Sequence, residues 1–161
     1  MSVQTVRNAL SVYGLDSRVM EFEASSATVE LAAAALGTDP ARIAKSLTFY
    51  GRDGDCVMIV TAGDQKIDNA KFKAYFGYKA KMMSADDALA ATGHAVGGVC
   101  PFALPENGVT VYLDESLRRF DVIYPAAGNS NSAAKLTCDE LSLTAQPRAW
   151  IDVCKTREPQ I

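Results

Sequence analysis

Two runs of strand-forming residues, Lys45–Tyr50 and Cys56–Ala62, flank the segment Gly51-Arg52-Asp53-Gly54-Asp55, and no other feature limits the fold of this chain as strongly. Asp53-Gly54 supplies the positive φ that a tight reversal needs, so the two runs predict an antiparallel hairpin. Around it, short helical segments alternate with other hairpin-scale strands. Ser2 is placed to cap a first helix, on which Val3, Val6, Ala9, Leu10 and Tyr13 share a face and which Gly14 ends. A strand over Arg18–Phe22 and a polar loop over Glu23–Ala27 lead to an alanine-rich helix from Thr28 to Leu36, closed by Gly37. Asp39-Pro40 opens a helical turn through Ala41–Ala44. Asp68 caps a helix to Phe76, a strand over Tyr78–Met82 follows, and Ser84–Asp87 and Thr137–Glu140 read as capping boxes. Strands are expected over Val109–Leu113, Asp121–Tyr124, Ser132–Leu136 and Ala149–Cys154, with a helical turn at Glu115–Arg119. This mixture predicts an α+β fold around a curved mixed sheet rather than regular βαβ winding.

With 161 residues, 48% hydrophobic and 22% charged, the chain is expected to form one domain over residues 1–161 with its own core. A net charge of −3 and this apolar content argue against disorder. No apolar run approaches the roughly 20 residues needed to span a bilayer, and the opening MSVQTVRNAL lacks the apolar stretch of a secretory signal. The expectation is a cytoplasmic protein with no membrane partner. Cys56, Cys100, Cys138 and Cys154 are scattered without a C-x-x-C pair, and His94 is the single histidine, so neither a metal nor a cofactor is expected. A hydrolase with a histidine base would have to use His94. The acidic pI of about 5.1 argues against DNA as a partner. Between Lys66 and Lys81, however, five lysines (66, 71, 73, 79 and 81) face the single acid Asp68. Such a patch suits brief, salt-sensitive contact with a phosphate backbone, or is a solvated helix face.

Three stretches carry the residues suited to chemistry. Lys45 opens a strand among Ile43, Ala44 and Leu47, where a desolvated amine loses its proton more easily or holds a fixed charge for an anion; on spacing alone a surface lysine at a strand end is the commoner reading. In Gly97-Gly98-Val99-Cys100-Pro101 the paired glycines let the backbone approach a ligand, and their N–H groups suit an anion or a developing oxyanion; a tight turn between core elements explains them as well. Cys100 has no evident base beside it and is read as pocket lining, and His94 as a satisfied polar residue. Gly128-Asn129, followed by Ser130-Asn131-Ser132, offers donors and acceptors to a small polar ligand or a ribose, or is simply a loop.

Taken together and in order, these residues resemble the YbaK/prolyl-tRNA synthetase editing-domain family of aminoacyl-tRNA deacylases. The resemblance rests on the Phe22–Thr28 strand and loop, Ala32–Gly37 and Ala44-Lys45-Ser46-Leu47. It continues through Gly97-Gly98-Val99-Cys100-Pro101-Phe102, Ala127-Gly128, Leu136 and Glu140-Leu141. It implies a single α+β domain with a barrel-like mixed sheet surrounded by short helices. It also implies a free-standing hydrolase that cleaves the ester between a wrong amino acid and its tRNA, most often tRNA for proline. Transient aminoacyl-tRNA binding and contact with prolyl-tRNA synthetase would follow. Lys45 matches the essential lysine of the family, and Gly97 and Pro101 match the ends of its glycine loop. Cys100 stands where many members have serine, and Asn129-Ser130-Asn131 replaces a basic, glycine-containing run.

On this reading Lys45, Gly97 and Gly98 are catalytic, while Thr28, Val99, Cys100, Pro101, Gly128 and Asn129 bind substrate. The alternative is a non-catalytic tRNA- or protein-binding adaptor on the same fold, since fold alone does not fix function. A Schiff-base enzyme using Lys45 on a carbonyl metabolite is a second rival, and a nucleophilic Cys100 a third, narrower one.

Overall fold

A computed structural model describes residues 3–157. The expected hairpin is its centre. Strand β2 (Ile43–Tyr50) pairs antiparallel with β3 (Cys56–Ala62), and Gly54 takes the positive φ, +82°, in the connecting turn. The helical turn before β2 is shorter than expected, covering Pro40–Arg42, because Ile43 and Ala44 already pair with a neighbouring strand.

That neighbour is β6 (Tyr124–Pro125), parallel to β2, while β5 (Val109–Asp114) runs parallel to β3 and β8 (Ala149–Ile151) parallel to β5. The order β6-β2-β3-β5-β8 gives a mixed five-stranded sheet. Two antiparallel ribbons flank it: β1 (Val19–Glu21) with β7 (Ser132–Ala134), and β4 (Gln65–Ile67) with β9 (Cys154–Thr156). Five helices complete the α+β fold: α1 (Val3–Ser11), α2 (Val29–Leu36), α3 (Asn69–Phe76), α4 (Ala85–Thr92) and α5 (Cys138–Ala145). None is long and apolar enough to cross a membrane.

Every residue of β3 is buried, so both faces of the sheet carry a core. Met58, Val60 and Ala62 join Val6 and Leu10 of α1, Leu141 of α5, Leu113 and Leu136 on one face. Val57 and Ile59 meet Phe49, Phe72 of α3, Tyr112 and Val153 on the other. The helix aromatics are core, as their spacing implies: Phe72 stacks within 5.2 Å of Phe49 and 4.4 Å of Phe76.

Four further expectations change in three dimensions. Over Tyr78–Met82 only Met82 bridges, to Phe49, since Tyr78 and Ala80 face the core but most of that segment meets no strand edge. The strand expected at Asp121–Tyr124 shifts to β6 and includes Pro125, tolerable because β6 lies at the sheet edge. The closing strand splits into β8 and β9, which serve different sheets. Thr137 and Glu140 form both bonds of a capping box, at 3.1 and 2.9 Å, whereas Ser84 accepts from Asp87 N (3.1 Å) without a reciprocal bond. The Ser2 cap lies outside the described residues.

Candidate functional site

The outer edge of β2 is paired at both ends and open between them. Ile43 and Ala44 pair with β6, Phe49 bridges Met82, and Lys45–Leu47 have no strand on that side. A cavity of about 380 Å³ occupies this gap. Its walls come from the start of α2 (Thr28, Val29, Ala32), from Met82 and Met83 leading into α4, from the Val96–Val99 loop, and from Ser132 and Ala133 of β7. Alternation along β2 puts Lys45, opposite Thr61, on the face shared with Leu47 and Phe49. Ser46, opposite Val60, stands on the other face with Ala44. Both line the cavity, which therefore wraps around the open edge.

Lys45 is half-buried, and its Nζ donates to the Gln65 carbonyl. Burial lowers its pKa below the ordinary lysine value, the charge of Arg157 adds to the effect, and the thiol of Cys154 and the carboxylates of Asp64 and Glu30 oppose it. Both carboxylates are already held by arginines: Glu30 by Arg157 at 2.6 Å and Asp64 by Arg119 at 2.6 and 3.0 Å. Among the described residues Lys45 thus makes no salt bridge of its own, and its remaining donors are available to an anion in the cavity.

Three loops far apart in sequence meet beside it. Gly97 has φ +89°, and a Cβ there would lie 3.2 Å from Ala27 Cβ and 3.1 Å from Ser130 Cβ. A Cβ on Gly98 would lie only 2.6 Å from Gly128 C and Asn129 N, so the two glycine loops pack backbone to backbone. Ser26 joins them by donating its N–H to the Ser130 carbonyl at 2.6 Å.

Of the residues expected at the site, Lys45, Thr28, Gly97 and Val99 line the cavity. Gly98, Gly128 and Asn129 stand behind its wall, where their contacts hold Gly97 in place. Pro101 lies against a second cavity of about 590 Å³, with Tyr13, Phe102 and Arg148. Cys100, expected as pocket lining, is instead sealed in the core, because its Sγ turns to His94 Nε2 at 3.6 Å. Burial raises that thiol to about 12, so it is not a thiolate at neutral pH. His94 is fully buried, and burial lowers its pKa. Its Nε2 lies 2.7 Å from the Phe102 carbonyl, which can only accept, so Nε2 carries the proton and Nδ1 has no partner among the described residues.

Sequence reasoning missed Ser46, Met82, Met83 and Val96. Met82 and Val96 are 59% and 68% exposed at the mouth of the cavity, and no periodicity marks them. The lysines of the basic patch are exposed, but Lys71 is tied to Asp152 and to the Cys154 carbonyl, each at 3.0 Å. Lys81, stacked 5.4 Å over the Tyr50 ring, is next to Met82 at the rim.

Known proteins are similar to this chain in sequence or in fold. The uncharacterized protein YwhH of Bacillus subtilis is 49% identical over 158 residues, covering 98% of this chain and 100% of that protein. A proline–tRNA ligase of Thermotoga maritima is 31% identical over 96 residues; these make up 59% of this chain but only 16% of the ligase. A solved structure described as a candidate trans-editing enzyme for prolyl-tRNA synthetase superposes with a TM-score of 0.84 at 27% identity, covering 96% of this chain and 99% of that one. The sequence model of the aminoacyl-tRNA editing domain matches residues 23–142, a stretch that takes in Lys45 and both glycine loops. The chain belongs to the aminoacyl-tRNA editing domain family.

Proposed function

We propose that this protein, as a single domain, is a free-standing cytoplasmic hydrolase that removes a small amino acid, such as Cys, Ala, Ser or Thr, from mischarged tRNA for proline. The observation that carries this reading is the half-buried Lys45 cation, without a carboxylate of its own, in the same cavity as Gly97 of the glycine loop. Membership of the editing family and likeness to a candidate trans-editing enzyme support it. The tRNA is a transient partner, and prolyl-tRNA synthetase is the enzyme whose errors it would correct.

In this mechanism the terminal adenosine of the tRNA lies at Lys45, whose ammonium holds its phosphate or the carbonyl side of the ester. The Gly98 N–H is engaged by the Ala95 carbonyl at 2.9 Å, so the loop residues that line the cavity, Gly97 and Val99, offer their backbone N–H groups to the carbonyl oxygen and stabilise the negative charge that develops there. Water adds to the ester carbon with help from the neighbouring ribose hydroxyl. The acyl–oxygen bond then breaks, and the departing ribose oxygen takes up a proton. Free amino acid and tRNA are released. An aminoacyl ester is labile, so positioning and electrostatics do most of what the reaction needs. His94 has no part in it, being buried outside the cavity.

The test is deacylation of tRNA for proline charged in turn with Ala, Cys, Ser, Thr and Pro. Turnover of one or two mischarged species, sparing Pro and falling on the order of 10²-fold or more in Lys45→Ala, is the expected result. Tight tRNA binding with no turnover of any species would identify the adaptor instead.

A further inference from the structure

Ser46 carries a buried hydroxyl with no hydrogen-bond partner among the described residues, and it lines the cavity. Three other hydroxyls of the lining are used on the protein: Thr28 Oγ1 accepts from Leu31 N at 3.1 Å, Ser26 Oγ donates to the Ser130 carbonyl at 3.2 Å, and Ser132 Oγ donates to the Asn129 carbonyl at 3.4 Å. A buried hydroxyl left unpaired is unfavourable, and native interiors rarely tolerate one without a reason.

Its surroundings say what could pair with it. Ser46 shares its face of β2 with Ala44 and lies across from Val60, and Val99, Ala88 and Ala126 add small apolar side chains to the lining of this cavity. The main chain is also free here. Thr48 O accepts from Met83 N, and Tyr50 N donates to Lys81 O, both on the outer side of β2. In an antiparallel strand alternate residues turn both main-chain groups the same way, so the N–H and C=O of Ser46 also point outward, into the gap. The residue thus presents a polar side-chain tip and an open amide in a pocket whose lining is mostly apolar.

We infer that Ser46 sets the specificity of the acyl pocket: its hydroxyl pairs with the heteroatom of a short side chain, favouring acyl groups with a β-hydroxyl or β-thiol over those with a methyl. This inference rests on the editing reading above. A hydroxyl partner in the ligand would satisfy Ser46 Oγ, whereas a methyl of the same size would leave it unpaired. Sites built to bond a hydroxyl reject the analogue that lacks it far better than size alone allows. Proline, whose side chain has no heteroatom, would be disfavoured on the same ground.

The experiment compares seryl and 2-aminobutyryl esters of tRNA for proline, which match in size and differ as hydroxyl against methyl. Wild type is expected to favour the seryl ester by about tenfold or more in kcat/KM, the effect of one hydrogen bond in a dry site. Ser46→Ala should erase that preference, and Ser46→Thr, which keeps the hydroxyl and suits a strand, should retain it. Thermal melting of each variant reports folding separately. Equal losses on both esters in Ser46→Ala, or a preference that survives it, would overturn the assignment while leaving the editing reading intact. Failure of wild type to hydrolyse any ester would sink the editing reading and this inference with it.

Discussion

Replacing Gly98 with alanine tests whether the two glycine loops must touch for the site to work. The new Cβ would lie 2.6 Å from both Gly128 C and Asn129 N, and 2.7 Å from Asn129 Cα. All three are backbone atoms, and carbon contacts settle near about 3.5–4.0 Å, so one loop must retreat by roughly 1 Å. Gly98 does not have a positive φ, so the penalty is one of contact and not of conformation. Overpacking of this kind costs about 1–3 kcal/mol, which in a chain of this length lowers Tm by several degrees. The retreat also disturbs Ser130, bonded to Ser26 N, and Gly97 in the cavity wall. A displacement of about 1 Å near a reacting centre costs on the order of 10² in rate. Gly98→Ala should therefore deacylate its tRNA substrate about 100-fold more slowly and melt several degrees lower. Gly54→Ala is the control: it has φ +82° with nothing within 4 Å, so it should lose stability through strain and keep its activity. A Gly98→Ala protein that melts and turns over like wild type would refute the contact argument.

Two further outcomes follow from charge. His94 is the single histidine, and burial holds its pKa below the ordinary 6.5, so protons bind the unfolded chain more readily. Its contribution to stability is full above about pH 6.5 and is lost as pH falls toward the folded-state value. The lowered carboxylates of Glu30 and Asp64 act only below their ordinary values of 4.5 and 3.8. Urea unfolding between pH 7.5 and 5 should thus show a declining limb that His94→Gln flattens; a slope unchanged by the substitution would contradict this. On the basic patch, exposed Lys73 and Lys79 should each lower the salt slope of tRNA binding by about one when changed to alanine. Lys71, engaged with Asp152, should matter less. An unchanged slope in a Lys73/Lys79 double variant would remove this face from the tRNA contact.

What could be read from the sequence was local. The hairpin, the Asp39, Asp68 and Thr137 caps and the glycine stops depend on residues a few positions apart, and they form as expected. Pairings between distant segments were not legible: Tyr78–Met82 has the in–out alternation of a strand, but periodicity does not say whether an edge will be free to receive it. The same limit applies to the site. Lys45 and the glycine loop are conspicuous as residue types, and both reach the cavity. Which side of that loop opens to it is another matter, since Val99 faces in and Cys100 faces the core, and an irregular loop has no period from which to tell them apart. Ser46 was hidden for a related reason: a serine in a strand draws attention only once its neighbours are known to leave it unpaired.

The interrupted pairing along β2 also bears on solubility. Exposed strand edges invite pairing with other chains, and proteins usually blunt them with charge, proline or a covering element. Here β6, which ends in Pro125, occupies the edge on one side of the gap and Met82 occupies it on the other. The stretch left open is too short to template a foreign strand, and it lies at the bottom of a cavity walled by α2 and α4. The chain can keep main-chain hydrogen-bonding groups available to a small ligand while denying them to a second copy of itself.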